Sequence, residues 1–229
     1  MPTKCERLFR KSKSLFGLSV AAVLCGLSAS VGSASAQEMK NPSFETPEIV
    51  GSDGKPFLMA PSEVLKASGW DWGYFTGICR QHEGFAKGLY AHEGSQMAFL
   101  QGDPRKSKIN HKRPQHMCAG YITGLKPGED YELQWAEADS AGNVGESALS
   151  VVLRETDGSA KAAYLQRGEP VTSKGEWAIK KQQFTATSPN MNVVFLHSVP
   201  GYGKSDATGE EITFLDDLLV VPVAKKAAK

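Results

Sequence analysis

Over much of this chain apolar residues recur at every second position. Tyr131, Leu133 and Trp135 share one side of a segment whose other side carries Glu132 and Gln134; Leu149, Val151 and Leu153 form a second such set, and Met191, Val193 and Phe195 a third. A period of two belongs to a strand with one face turned inward. Turn chemistry separates the segments, at Lys126-Pro127-Gly128-Glu129-Asp130, from Asp139 to Gly145, at Asp157-Gly158 and at Ser188-Pro189-Asn190. Strands at this spacing without intervening helices predict an all-β, antiparallel sandwich. One short helix is expected, from Pro61 to Lys66, where Pro61 suits a first helical position. It lies inside residues 46–69, a long and otherwise looped connection.

The first 36 residues break the pattern. Lys4, Arg7, Arg10, Lys11 and Lys13 make a basic start, Leu15 to Leu27 an apolar run, and Ala34-Ser35-Ala36 a small-residue cleavage site. That order reads as an export signal, so the protein is expected to be secreted or periplasmic and to begin at Gln37. Leu24 before Cys25 argues against lipidation of that cysteine. No later segment approaches the roughly 20 apolar residues that a membrane span needs. The expected organisation is a signal peptide over 1–36, a single sandwich domain over 37–223 and a basic tail over 224–229.

Removing five basic residues and one acidic residue with the signal leaves 21 Lys+Arg against 24 Asp+Glu, formally −3. That balance provides no general attraction to nucleic acid. Two cysteines remain, Cys79 and Cys118. In an oxidising compartment they are expected to be bridged, which would be worth about 4 kcal/mol on the chain-entropy account.

Catalytic signatures are missing. The histidines at 82, 92, 111, 116 and 197 stand at no zincin spacing, no Gly-x-Ser-x-Gly elbow occurs, and Gly203-Lys204-Ser205 lacks the glycine of a phosphate loop at position 198, which is Ser198. Neighbouring acids such as Glu137 with Asp139 read as ordinary charges, and the chain reads as a binding protein rather than an enzyme. A basic run, Arg105 to His116, suits an acidic polysaccharide or simply a solvated face.

Two acidic signatures stand near the ends of the mature chain, Asn41-Pro42-Ser43-Phe44-Glu45 and Phe214-Leu215-Asp216-Asp217-Leu218. A carboxylate beside buried apolar surface is costly unless neutralised, and a hard cation such as calcium neutralises it through oxygen ligands. The two ends are therefore expected to meet. Together with Gly69-Trp70, the run from His92 to Leu100 and Gly124-Leu125-Lys126-Pro127-Gly128 before Tyr131, these signatures resemble exported bacterial domains of the galactose-binding-like superfamily, relatives of carbohydrate-binding modules. The resemblance spans roughly Asn41 to Val221. It implies a jelly roll with a structural calcium near the joined ends, held by the side chains of Glu45 and Asp216 and by the carbonyls of Ser43 and Ser95. It also implies a glycan or polysaccharide as the ligand.

Sugar rings have apolar C–H faces, so a sugar-binding surface needs solvent-facing aromatics with planar polar neighbours. Alternation through Trp70-Asp71-Trp72-Gly73-Tyr74-Phe75 puts Trp70, Trp72 and Tyr74 on one side. Trp70 matches a position buried in the resembled domains, which leaves Trp72 and Tyr74 as the ring platform, with Tyr90, His92 and Glu137 as companions. Tyr202, between glycines, is a further candidate contact. Two other readings stay open: an envelope or extracellular-matrix domain that binds protein, and a calcium-dependent cyclase or lyase on the same fold, which needs an apolar pocket with a carboxylic acid.

Overall fold

A computed structural model of the chain describes residues 37–49, 56–102, 116–143, 147–156, 162–166, 174–198 and 211–224. The segment read as an export signal, Tyr202 and most of the basic run lie outside the described residues. In chain order the strands are β1 (Glu38–Met39), β2 (Phe57–Met59), β3 (Asp71–Trp72), β4 (Thr76–Arg80), β5 (Gln96–Gln101), β6 (Met117–Thr123), β7 (Asp130–Asp139), β8 (Ala148–Glu155), β9 (Ala162–Gln166), β10 (Ala178–Thr185), β11 (Met191–Ser198) and β12 (Ile212–Pro222). One sheet has the order β1-β6-β11-β8-β9, with β3 also on β6; the other runs β10-β7-β12-β5-β4-β2. All the ladders are antiparallel. From β5 onward the chain passes repeatedly from one sheet to the other, as in a jelly roll.

The alternation read from the sequence is the alternation that packs. Tyr131, Leu133 and Trp135 of β7 face Leu149, Val151 and Leu153 of β8 and Met191, Val193 and Phe195 of β11 across one core, and all nine are buried. Each such side chain contributes about 1.5–3 kcal/mol when removed from water. Trp135 meets Phe195 edge-on at 5.6 Å.

A second, smaller core lies on the opposite face of the β5–β12 sheet. Cys79, Met97, Phe99, Ala138 and Phe214 alternate with residues of the main core along their strands, and Ala86 and Leu89 of the segment after β4 cover them. This placement corrects the expected disulfide. Cys118 faces the main core from β6, whereas Cys79 points away from it under that segment; both are free, buried thiols whose pKa values burial pushes up.

The expected helix is a single 3-10 turn, displaced to Val64–Ser68. Gly69, at φ +78°, ends it in the left-handed region that glycine tolerates. The turn leads into Trp70, whose ring lies where a side chain on Gly120 would be: a Cβ there would stand 2.8 Å from the ring. Only glycine at 120 lets the indole lie flat on β6.

Candidate functional site

The signature around Asn41 is a knot. Asn41 accepts the Thr46 N–H at 3.0 Å and donates to the carbonyls of Thr46 and Ser68. The Trp70 indole N–H donates to the carbonyls of Lys40 and Asn41 at 3.1 and 3.2 Å. Phe44, fully buried at φ +56°, sits 5.0 Å from Trp70 and 5.9 Å from Trp72, centroid to centroid. Asn-Pro-Ser-Phe-Glu and Gly-Trp thus fasten one another, and the aromatic pair is structural.

Glu45 and Asp216 are brought to one loop, residues 92–96. The Glu45 carboxylate accepts the N–H groups of Ser95 and Gln96, both at 2.8 Å, and the Ser95 hydroxyl at 3.0 Å. Asp216 accepts the N–H groups of His92 at 2.8 Å, Glu93 at 3.0 Å and Asp217 at 2.8 Å. A one-residue bulge in β12 between Asp216 and Leu219, with Asp217 at φ +48°, turns the Asp216 carboxylate toward those donors. Asp216 is buried, and burial raises its pKa to about 7 against the pull of the three N–H groups. Asp217 pairs with His92 Nδ1 at 3.0 Å. The Ser43 hydroxyl donates to Glu93 at 2.7 Å, and the Ser95 carbonyl accepts the Gln81 N–H at 3.0 Å.

Four carboxylates, of Glu45, Glu93, Asp216 and Asp217, stand around residues 92–96, and carboxylate oxygen is the ligand type that a hard cation takes. Three of the four lone-pair positions on each of Glu45 and Asp216 are already taken by N–H or O–H groups. Among the described residues no three His, Cys, Asp or Glu side chains form a ligand group by themselves. A cation there would need backbone carbonyls for most of its shell.

The aromatic run divides. Trp70 is buried and Trp72 is half-buried, its indole N–H donating to the Ser68 hydroxyl at 2.9 Å. Beyond Gly73 the strand alternation fails, because Phe75 takes φ +59° and stacks on His116 at 5.7 Å while Tyr74 is left 57% exposed. Trp72 lines a surface cleft of about 250 Å³ with Ala60, Pro61, Lys66, Trp70 and Asp71. Beside it the Tyr121 hydroxyl donates to Asp71 at 3.4 Å, and Lys66 pairs with Glu63 at 2.6 Å. An indole wall flanked by a carboxylate, an ammonium and a phenol is what a sugar ring needs: a flat apolar face with hydroxyl-binding groups at its rim.

Tyr90 and His92 are not at this cleft. Both lie on the segment that covers the smaller core, next to Trp177. Glu137 is not at the surface at all: it is 1% exposed and points between the sheets from β7. Its carboxylate accepts the Trp135 indole N–H at 2.9 Å and the Leu149 N–H at 3.0 Å, tying β7 to β8 across the sandwich, and burial pushes its pKa up to about 7. Two residues on, Asp139 accepts the Ser147 N–H at 3.1 Å and hydroxyl at 2.6 Å. In the same region His197, beside His116, is held neutral, with burial lowering its pKa to about 3. Sequence reading missed this polar interior, since Glu137, Asp139 and His197 occupy inward positions of strands whose other inward residues are apolar. The regular parity was the available signal.

No protein-family model matches the sequence, and no curated protein matches it. Among solved structures the chain is similar to the module TmCBM61 in complex with beta-1,4-galactotriose, at TM-score 0.44 and 12% identity over 82% of this chain and 100% of that one. It is also similar to the CBM22-1 xylan-binding domain from Paenibacillus barcinonensis, at 0.42 and 14% over 70% and 88%. A third is the K1 cleaved adhesin domain of Lys-gingipain from Porphyromonas gingivalis, at 0.44 and 14% over 82% and 98%. At these scores none of the three bears on what this chain binds, and the sandwich rests on the strand pairing described above. No described helix is long and apolar enough to cross a membrane.

Proposed function

We propose that this is an exported, non-catalytic carbohydrate-binding domain that holds a glycan in the cleft beside Trp72. The observation that carries the reading is the cleft itself: an indole presented at the rim of the sandwich, fixed by Phe44 and Ser68, with Asp71, Lys66 and Tyr121 around it. Fixing the ring beforehand lowers the ordering cost of binding. The export signal read from the sequence fits a ligand outside the cell. The test is a glycan array probed with the mature protein and with Trp72→Ala. Binding that disappears in the variant supports the reading; a protein that retains no glycan leaves the envelope-protein class.

The calcium implied by the sequence resemblance belongs to this proposal. Glu45 and Asp216 would hold it with the acceptor capacity their N–H partners leave, and it would neutralise a carboxylate whose burial is otherwise compensated only by amides. Its role would be structural, closing loop 92–96 over the chain ends.

One observation favours the enzyme reading: Glu137 is a buried carboxylic acid near neutrality. Both its oxygens, however, accept hydrogen bonds from Trp135 and Leu149, which supports a structural tie.

A further inference from the structure

We infer a second glycan-binding site, centred on Tyr90 and lying on the other sheet from the Trp72 cleft. This inference rests on the carbohydrate reading above and extends it. Tyr90 is 62% exposed, the most exposed large hydrophobic side chain among the described residues. Exposed rings are common, but this one is held. His82 stacks on one face of it, 4.6 Å between centroids and 14° from parallel. The Tyr90 carbonyl accepts the Trp177 indole N–H at 2.8 Å, and the next residue's N–H is held by the Gln81 side chain at 3.2 Å. His92 lies edge-on to Trp177 at 5.9 Å, fixed in turn by Asp217 at 3.0 Å.

Asp217, His92 and Trp177 are thereby linked side chain to side chain, Trp177 holds the Tyr90 backbone, and His82 holds the Tyr90 ring, all before any ligand arrives. His82 covers one face of the phenol, so the ring offers its other face to solvent. Ile179, 50% exposed, is a further apolar side chain on β10, two residues after Trp177, and its cross-strand partner is the small Ala136.

The ligand chemistry follows from size and rim. Two rings and one aliphatic side chain make far too small an apolar area for a stable protein interface, which buries about 800 Å² on each partner. A pyranose ring needs only one fixed aromatic face and a few polar groups near it; the His82 imidazole is against the phenol, and His92 with Asp217 stands on the same segment beside Trp177. With Trp72 on an edge strand of one sheet and Tyr90 over the outer face of the other, one chain carries two separate platforms for a repeating polymer.

The experiment is calorimetric titration with soluble galacto-, xylo- and gluco-oligosaccharides on wild type, Trp72→Ala, Tyr90→Ala and His82→Ala. Wild type is expected to bind two equivalents and each of Trp72→Ala and Tyr90→Ala one. His82→Ala, which keeps the ring but removes its support, should weaken the second site about tenfold, the scale of one stacking contact. Tyr90 is exposed and only its backbone is used by Trp177, so its replacement leaves the fold intact; unchanged melting checks this. Tyr90→Ala binding with wild-type stoichiometry and affinity overturns the second site alone. Wild type that binds none of the sugars overturns the carbohydrate reading and this site with it.

Discussion

Glu45 and Asp216, from opposite ends of the sandwich sequence, grip the same five residues, 92–96. Glu45 takes the amides of Ser95 and Gln96, and Asp216 those of His92 and Glu93, so each carboxylate holds one half of residues 92–96. These residues end in Gln96, the first residue of β5, which lies beside β12 in the sheet. Closing the chain ends and positioning a central strand are therefore one event.

Removing either carboxylate should loosen that clasp. Asp216→Asn leaves three N–H donors facing an amide of half the acceptor capacity in a buried place, and about 3 kcal/mol of stability should go with it. Urea unfolding measures this. A variant as stable as wild type would mean that the N–H contacts hold nothing.

Calcium is expected to add to the clasp. Melting in a chelator should come at a lower temperature than in excess calcium, and calcium at a hundred times its dissociation constant would add about 2.7 kcal/mol. Identical melting under both conditions removes the ion from the account and leaves the amide contacts in place.

Glu137 gives the sandwich a pH dependence of definite sign. Its pKa is raised from 4.5 to about 7 by burial, opposed by the bonds from Trp135 and Leu149 and the nearby Lys180, and reinforced by Asp139. The folded protein keeps this proton to higher pH than the unfolded chain does. The contribution is fully present below about pH 4.5 and is lost as pH rises through 7. Between pH 5 and pH 8 wild type should therefore lose stability relative to Glu137→Gln, by at most about 3 kcal/mol. Parallel stability curves for the two proteins would contradict the assignment.

Cys79 and Cys118 should both alkylate once a protein of residues 37–229 is unfolded without reductant, and neither should react quickly while it is folded. Mass spectrometry counts the labels. No label without reductant would restore the bridge that the sequence suggested.

The strand faces were readable in advance because burial on one side imposes a strict period of two, and β7, β8 and β11 obey it. The meeting of the chain ends was readable for a related reason: acids beside apolar residues need partners. What the sequence did not show was which partners. Backbone N–H groups leave no mark in the residue string, so the donors on Glu45 and Asp216 were invisible. Parity misled at Trp72 and Tyr74, where the turn at Phe75 resets the alternation; the disulfide was expected from cysteine count and compartment, neither of which shows that Cys79 serves a second core on the far face. Glu137 was read as a companion of the ring platform and, with Asp139, as an ordinary charge; its identity alone does not mark it as one of the few carboxylates that are fully buried.

The central claim is that the Trp72 indole is the wall of a sugar site, and indole N–H resonances test it directly. On titration with a glycan that binds, the Trp72 signal is predicted to shift saturably while that of Trp135, sealed in the main core and bonded to Glu137, stays still. A saturable response at Trp135 with Trp72 unmoved would place the ligand between the sheets and contradict the account.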